Sequence, residues 1–161
     1  MRALVVVTGG TFDKEYDELT GTLSFRKTHL AEMLKLGRCR LQARVSTLMM
    51  KDSLVMTAAD RRRILAACRR APENHIVITH GTDTMAETAA VLGPSIKDKT
   101  VVLTGAMRPY RFGSSDGLFN LGSALSFAQA LPPGVYVAMN GLIFTWDDVK
   151  KNKRLGVFTR R

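Results

Sequence analysis

The amino-acid sequence predicts an α/β domain with a mostly parallel sheet flanked by helices on both faces, a flavodoxin-like three-layer arrangement. Short runs rich in valine and isoleucine alternate along the chain with segments in which apolar residues recur at helical spacing. This alternation is typical of parallel sheets, because a helix usually carries the chain back between parallel strands. The 161 residues, 45% hydrophobic and 24% charged, fit one domain over residues 1–161.

Five apolar runs, each bounded by turn residues, are predicted strands. Their length and their content of branched side chains indicate burial inside a sheet. They are Ala3–Thr8, Ala43–Leu48, Ile76–His80, Val101–Thr104 and Val135–Met139.

Four helices are predicted between these strands from apolar spacing and from start and stop residues. The first carries Leu30, Met33 and Leu34 and stops at Gly37, and the second follows a cap at Thr57, with Asp60 three residues on, and carries Ile64, Leu65 and Cys68. The third follows Thr82-Asp83 and ends before Gly93-Pro94, and the fourth carries Leu118, Leu121, Leu125 and Ala128 and ends at Pro132-Pro133-Gly134.

Polar motifs stand where predicted strands end, which is where open parallel sheets bind ligands. The first strand ends in Thr8-Gly9-Gly10-Thr11, the third in His80-Gly81-Thr82-Asp83-Thr84, and the fourth in Thr104-Gly105-Ala106-Met107-Arg108-Pro109. We therefore expect a ligand site at this edge of the sheet.

The glycines of the first motif let the backbone approach a ligand and present the Thr11 hydroxyl and free amides to it. A hydroxyl there is a candidate nucleophile if a base or proton relay activates it, whereas a plain turn is the alternative. A nucleotide site is excluded by spacing, because the chain contains neither GxGxxG nor GxxxxGK[ST].

In the second motif, Asp83 could cap a helix, bind an ammonium group or polarise Thr82 through a lysine. His80 ends a buried strand, and we favour a core residue over a general base. The segment Trp146–Asn152, predicted to be a loop or a short helix, supplies lysines, one of which could take a proton if it lies desolvated beside Asp83.

The formal charge is +10, and part of it lies in three basic runs, Arg61–Arg63, Arg69-Arg70 and Lys150–Arg154. These runs lack the interleaved aromatic residues that stack on nucleic-acid bases. We interpret them as solvated faces rather than a nucleic-acid surface.

Cys39 and Cys68 are predicted to be reduced thiols, because two cysteines at this spacing form neither a metal site nor a disulfide framework. No signal peptide or membrane span is predicted, and we expect a cytoplasmic protein.

Taken in order, Thr-Gly-Gly-Thr, His-Gly-Thr-Asp-Thr, Gly-Ala-Met-Arg-Pro and the segment Ser115–Leu121 resemble the amino-terminal domain of bacterial-type L-asparaginases. The resemblance runs through essentially the whole chain. It implies hydrolysis of L-asparagine to L-aspartate and ammonia through a threonine acyl-enzyme, with no metal or organic cofactor.

The resemblance also implies roles for individual residues. Thr11 is similar to the family's nucleophile, and Thr82, Asp83 and Lys151 to its proton relay. Asp83 is expected to hold the substrate α-ammonium group as well.

The remaining expected site residues follow the same resemblance. Ser53 is similar to the serine that binds the α-carboxylate, Tyr16 to a tyrosine in a mobile lid, and Gly10 and Ala106 to backbone contacts of the substrate. The apolar Leu54-Val55 after Ser53 departs from the polar residues of many relatives.

Three further expectations come from the family: a homo-oligomer, a left-handed crossover near the first strands, and, in long forms, a smaller carboxyl-terminal domain, which we expect to be absent after Arg161. An amidase for glutamine or another small amide and a catalytically silent amino-acid-binding module are the alternative functions.

Overall fold

The computed structural model describes all 161 residues and contains ten strands and four α-helices. The strands are β1 (Arg2–Gly9), β2 (Lys14–Asp17), β3 (Thr22–Phe25), β4 (Gln42–Lys51), β5 (His75–Thr79), β6 (Thr100–Thr104), β7 (Gly134–Met139), β8 (Leu142–Thr145), β9 (Lys150–Asn152) and β10 (Val157–Thr159). The helices are α1 (Leu30–Leu36), α2 (Ala58–Arg70), α3 (Met85–Leu92) and α4 (Gly117–Ala130).

Six strands form the main sheet in the order β4-β1-β5-β6-β7-β8. All neighbours pair in parallel except β7 and β8, which form an antiparallel hairpin. The predicted mostly parallel α/β fold is confirmed, and its five predicted strands correspond to β1, β4, β5, β6 and β7.

Alternating side chains of the central strands feed two separate cores, one on each face of the sheet. Leu4 and Val6 of β1 pack with Ile64 of α2 and with α3, whereas Val5 and Val7 pack with α1 and α4. Because β5, β6 and β7 divide their side chains in the same way, both faces of the sheet are buried under helices.

The positions of the helices fix the relative hand of the crossovers. One hand is shared by the three units β1-α1-β4, β4-α2-β5 and β5-α3-β6. The unit β6-α4-β7 moves across the sheet in the same direction as β5-α3-β6, but its helix lies on the other face, so it has the opposite hand. Since right-handed crossovers are strongly preferred, β6-α4-β7 is the exception. The expected position near the first strands is therefore wrong, because α4 packs beside α1 rather than beside α3.

Five short strands were not predicted from the sequence. β2 and β3 form an antiparallel hairpin directly after the first motif, and β9 and β10 form a second one near the end of the chain. The prediction of a loop or short helix over Trp146–Asn152 is wrong at its carboxyl-terminal end, where β9 pairs with β10. Lys151 thus stands on a strand, opposite the buried Phe158.

Candidate active site

The ends of β1, β4 and β5 meet at one edge of the sheet, where the predicted site motifs lie. At Gly10, with φ of 81°, a Cβ atom would stand 2.4 Å from the Gly81 nitrogen. At Gly81, a Cβ atom would stand 2.5 Å from the Ser53 hydroxyl oxygen. The two glycines therefore allow three strand ends to touch, and the first and second motifs lie in direct contact.

Thr11 begins a 3-10 turn, Thr11–Asp13, immediately after β1. Phe12 and Asp13 are fully buried and anchor the turn, while Thr11 is half-buried. The Thr11 hydroxyl makes no hydrogen bond to another side chain, and it therefore lies available next to the second motif.

Thr82, Asp83 and Lys151 form one hydrogen-bonded group. The Lys151 Nζ atom donates to Thr82 Oγ1 at 2.7 Å and to Asp83 Oδ1 at 2.7 Å. The Lys151 side chain is only 10% exposed, compared with 38% for that of Asp83. An ammonium group with a hydroxyl and a carboxylate in contact, away from bulk water, can stabilise negative charge and pass a proton.

Ser53 follows β4 and opens a 3-10 turn, Ser53–Val55, which Asp52 caps by accepting the Leu54 N–H. The serine is buried, and its hydroxyl has no hydrogen-bond partner in the chain. Buried hydroxyls normally have a partner, and this one has none within the chain. Leu54 and Val55 are exposed to solvent.

Ala106 lies in the connection after β6 and is fully buried. Asp116 and Asn120 hold this connection through hydrogen bonds, and Asn140 bonds to Asp116 in turn. The sequence reasoning did not single out any of these three polar residues. Asp116 and Asn120 belong to the quoted segment Ser115–Leu121, but nothing in that segment alone indicates which backbone groups they bind.

Tyr16 lies on β2, opposite Leu23 of β3, and is 59% exposed. Its hydroxyl makes no hydrogen bond, so in this arrangement the side chain is not engaged with Thr11. The hairpin is fastened at its base, where the Lys14 Nζ atom lies 2.5 Å from Asp52 Oδ2.

His80 is fully buried and bonded at both ring nitrogens, to the Gly81 carbonyl at 2.7 Å and to the Thr88 hydroxyl at 2.8 Å. Burial lowers the pKa of His80 to about 4, with the nearby Arg61 acting in the same direction. A neutral ring with both nitrogens occupied is a core residue rather than a general base.

The interpretation of the basic runs as solvated faces is wrong at two positions. Arg61 is buried and donates hydrogen bonds to Thr88, Glu87 and the Met56 carbonyl, and Lys151 belongs to the group described above. Both residues are held because a buried cation requires acceptors.

Both cysteines are free thiols, and burial raises the pKa of Cys68 to about 12. None of the helices combines the length and the hydropathy needed to cross a membrane.

The chain is similar over nearly its whole length to known proteins. The family model described as Asparaginase, N-terminal, matches residues 2–158. The solved structure of the thermostable L-asparaginase from Thermococcus kodakarensis has a TM-score of 0.85 and 35% identity, and the match covers 99% of this chain and 51% of that one.

Two further relatives agree. A probable cytoplasmic L-asparaginase from Campylobacter jejuni has a TM-score of 0.83 and 32% identity, covering 99% of this chain and 52% of that one. A glutaminase-asparaginase from Acinetobacter glutaminasificans is 50% identical over 82 residues, 48% of this chain and 25% of that protein. The chain thus spans about half, or less, of the length of these relatives.

Proposed function

Since the chain belongs to the asparaginase family and matches its N-terminal domain over residues 2–158, we propose that it hydrolyses the side-chain amide of L-asparagine to L-aspartate and ammonia. The observation that carries this proposal is the contact of the Lys151 ammonium group with Thr82 and Asp83, 2.7 Å from each, beside the Thr11 turn. A lysine buried between a hydroxyl and a carboxylate is suited to acid–base chemistry.

In the proposed reaction, the Thr11 oxygen attacks the carbonyl carbon of the substrate amide. The carbon–nitrogen bond breaks, the amide nitrogen takes the proton that the Thr11 hydroxyl gives up and leaves as ammonia, and an ester of Thr11 remains. Water then attacks the ester carbonyl, releases aspartate and returns the proton to Thr11. The two steps together replace one difficult hydrolysis, and each is easier than the direct reaction.

Thr82 and Lys151 are assigned the proton transfers. The Lys151 ammonium group donates to the Thr82 oxygen, which leaves the Thr82 proton free to point toward the reacting groups. Asp83 balances the charge of Lys151 and is assigned the substrate α-ammonium group, which its exposed oxygen could accept.

The α-carboxylate of the substrate is assigned to Ser53. Its buried, unpartnered hydroxyl lies against Gly81, one residue before Thr82 and two before Asp83. The carboxylate and the ammonium group of one amino acid could therefore be bound by neighbouring residues. Backbone groups at Gly10 and Ala106 complete the proposed substrate contacts.

Tyr16 is proposed to act from the β2–β3 hairpin once substrate is bound. It would have to leave its exposed position. Closure of such segments over substrates is common in enzymes.

Glutamine is the second candidate substrate, in keeping with the name of the Acinetobacter relative. It differs from asparagine by one methylene group, and a pocket distinguishes substrates that differ by one methylene only modestly. We further propose that residues 1–161 act as one domain and that the protein is a homo-oligomer. We also propose that it is cytoplasmic, in keeping with the name of the Campylobacter relative.

The first prediction tests the nucleophile. Thr11→Ala is expected to lower ammonia release from asparagine at least about a thousandfold, because no other group can form the ester. Thr11→Ser, which retains a hydroxyl, should keep part of the activity, and Thr145→Ala, an exposed threonine on β8, should match the wild type. Ammonia released from asparagine and from glutamine is measured for all four proteins.

Equal release by wild type and Thr11→Ala would discard the nucleophile assignment. A folded wild type that binds asparagine in a calorimeter but releases no ammonia would show a binding module instead of an enzyme.

A further inference from the structure

The connection Gly105–Arg108 is held by side chains from the start of α4. The Gly105 carbonyl accepts the Asn120 amide N–H at 2.9 Å. The Asp116 carboxylate accepts the N–H groups of Met107 and Arg108 at 3.0 and 3.1 Å. Peptide groups on both sides of Ala106 are therefore fixed.

Ala106 lies between these bonded groups. Neither its N–H nor its carbonyl has a hydrogen-bond partner within the chain, although the residue is fully buried. Buried backbone groups are almost always bonded, so an unpaired pair at the edge that carries Thr11 and Thr82 points to a ligand.

The turn between β7 and β8 is hydrogen-bonded to Asn120 and Asp116. Asn140 has a φ of 51° and is followed by Gly141, the residue pair that tight two-residue hairpins favour. Its backbone N–H donates to Asn120 Oδ1 at 2.9 Å, and its side-chain amide donates to Asp116 Oδ2 at 3.1 Å. Asn120 also donates to Asp116 at 3.0 Å.

Asp116 is the common acceptor of this network. Burial raises its pKa, but the N–H groups of Met107 and Arg108 and the Asn140 amide outweigh that effect, and the pKa lies below its usual value. The acceptor is therefore an ionised carboxylate at neutral pH, whose hydrogen bonds are stronger than those of a neutral group.

We propose that Asp116 is a positioning residue that, together with Asn120 and Asn140, holds Ala106 so that its two free peptide groups bind the amide substrate. This inference rests on the proposed function and adds to it the residue that sets the geometry on the β6 side of the site. Asp116 acts through the backbone of Met107 and Arg108 and does not itself contact the substrate.

The test is Asp116→Asn, which preserves shape but replaces one accepting oxygen with an amide group that cannot accept an N–H. The matched control is Asp147→Asn, an exposed aspartate outside the network. kcat and KM for asparagine are measured well below the unfolding temperature. The dissociation constant for asparagine is measured by calorimetry in the Thr11→Ala background, with and without Asp116→Asn.

We expect Asp116→Asn to lower kcat/KM and to weaken asparagine binding in the Thr11→Ala background, each by about tenfold to a hundredfold. Asp147→Asn should leave both unchanged. A purely structural role would lower the unfolding temperature without changing the kinetic or binding constants of the folded protein.

Two outcomes separate the inference from the proposed function. A wild type that releases no ammonia contradicts the proposed function, while the binding measurement still decides the role of Asp116. Equal dissociation constants with and without Asp116→Asn, or no asparagine binding at all, would overturn the positioning role.

Discussion

Lys150 and Lys151 are adjacent in the chain, but only Lys151 belongs to the candidate site. Its neighbour Lys150 lies on the same strand but is exposed, because successive side chains of a strand point to opposite sides. Only Lys151 contacts Thr82 and Asp83, through hydrogen bonds of 2.7 Å each. Two adjacent lysines of the same strand therefore have different environments.

Replacing each lysine with methionine tests this difference. Lys151→Met is expected to lower kcat for asparagine about a hundredfold or more, because the proton relay loses its charged group. Lys150→Met should leave kcat within about twofold of wild type, as surface charges contribute little. Steady-state ammonia assays give both values, and equal losses in the two variants would argue against a specific role for Lys151.

The residues that the sequence could predict are those that belong to recognisable motifs at strand ends. Thr11, Thr82, Asp83 and Ala106 were identified in this way, Ser53 and Lys151 were identified only through the family resemblance, and the roles of all six remain predictions. Asp116, Asn120 and Asn140 could not be found, because they bond to one another and to backbone groups that only the folded chain brings together. Arg61 was misread for a similar reason: its acceptors Thr88 and Glu87 come from another helix.

At the scale of elements, patterns long enough to show a period were predicted well. The five parallel strands and four helices were found because their apolar residues recur over at least four positions, and the cap of α2 has the predicted Thr57–Asp60 reciprocal bonds. Strands β2, β3, β9 and β10 have three or four residues each, too few for a period. The Asn140-Gly141 pair, however, does signal the β7–β8 hairpin.

β5 and α3 are joined by the His80 ring. Because the Gly81 carbonyl can only accept, Nδ1 carries the proton and donates to it, and Nε2 accepts from the Thr88 hydroxyl of α3. The Thr88 oxygen in turn accepts from Arg61 of α2. This chain of bonds requires a neutral histidine.

The neutral ring predicts a pH dependence of stability. The pKa of His80 is about 4 in the folded protein, against 6.5 as its ordinary value. Below pH 6.5 the unfolded chain binds a proton that the folded protein excludes, so the free energy of unfolding falls as pH drops from 6.5 toward 4. The full effect is on the order of 3 kcal/mol.

Urea unfolding between pH 4.5 and 7 measures this slope. His80→Gln should flatten it, whereas His75→Gln, at a half-buried histidine, should retain it. In wild-type protein, NMR titration of His80 provides a readout that needs no variant, and a ring that protonates near pH 6.5 would refute the prediction.

At the scale of the whole molecule, an apolar rim borders the site. It consists of Met107, Phe119, Leu142 and Leu155, all exposed, the last three by more than half. The Phe119 ring lies beside Gly141 of the β7–β8 turn, and the Met107 side chain lies beside Gly156 of the β9–β10 turn. Apolar patches of this kind are typical of surfaces that bind another protein.

The proposed homo-oligomer is expected to use this rim. Sedimentation equilibrium should give a mass at least twice the 17.8 kDa of one chain. Phe119→Ser should shift the protein toward single chains by removing apolar contact area, while Leu19→Ser, at an exposed leucine outside the rim, should not. A wild-type mass of one chain at micromolar concentration would refute the expectation.

The β9–β10 hairpin pairs through only three residue pairs and belongs to a separate small sheet. Small ladders of this kind open locally at a lower free energy than the core requires for global unfolding. Opening the hairpin would withdraw the Lys151 amine from its partners while the six central strands remained intact. Heat should therefore abolish the proposed hydrolysis of asparagine at temperatures where circular dichroism still reports a native fold, and cooling should restore it.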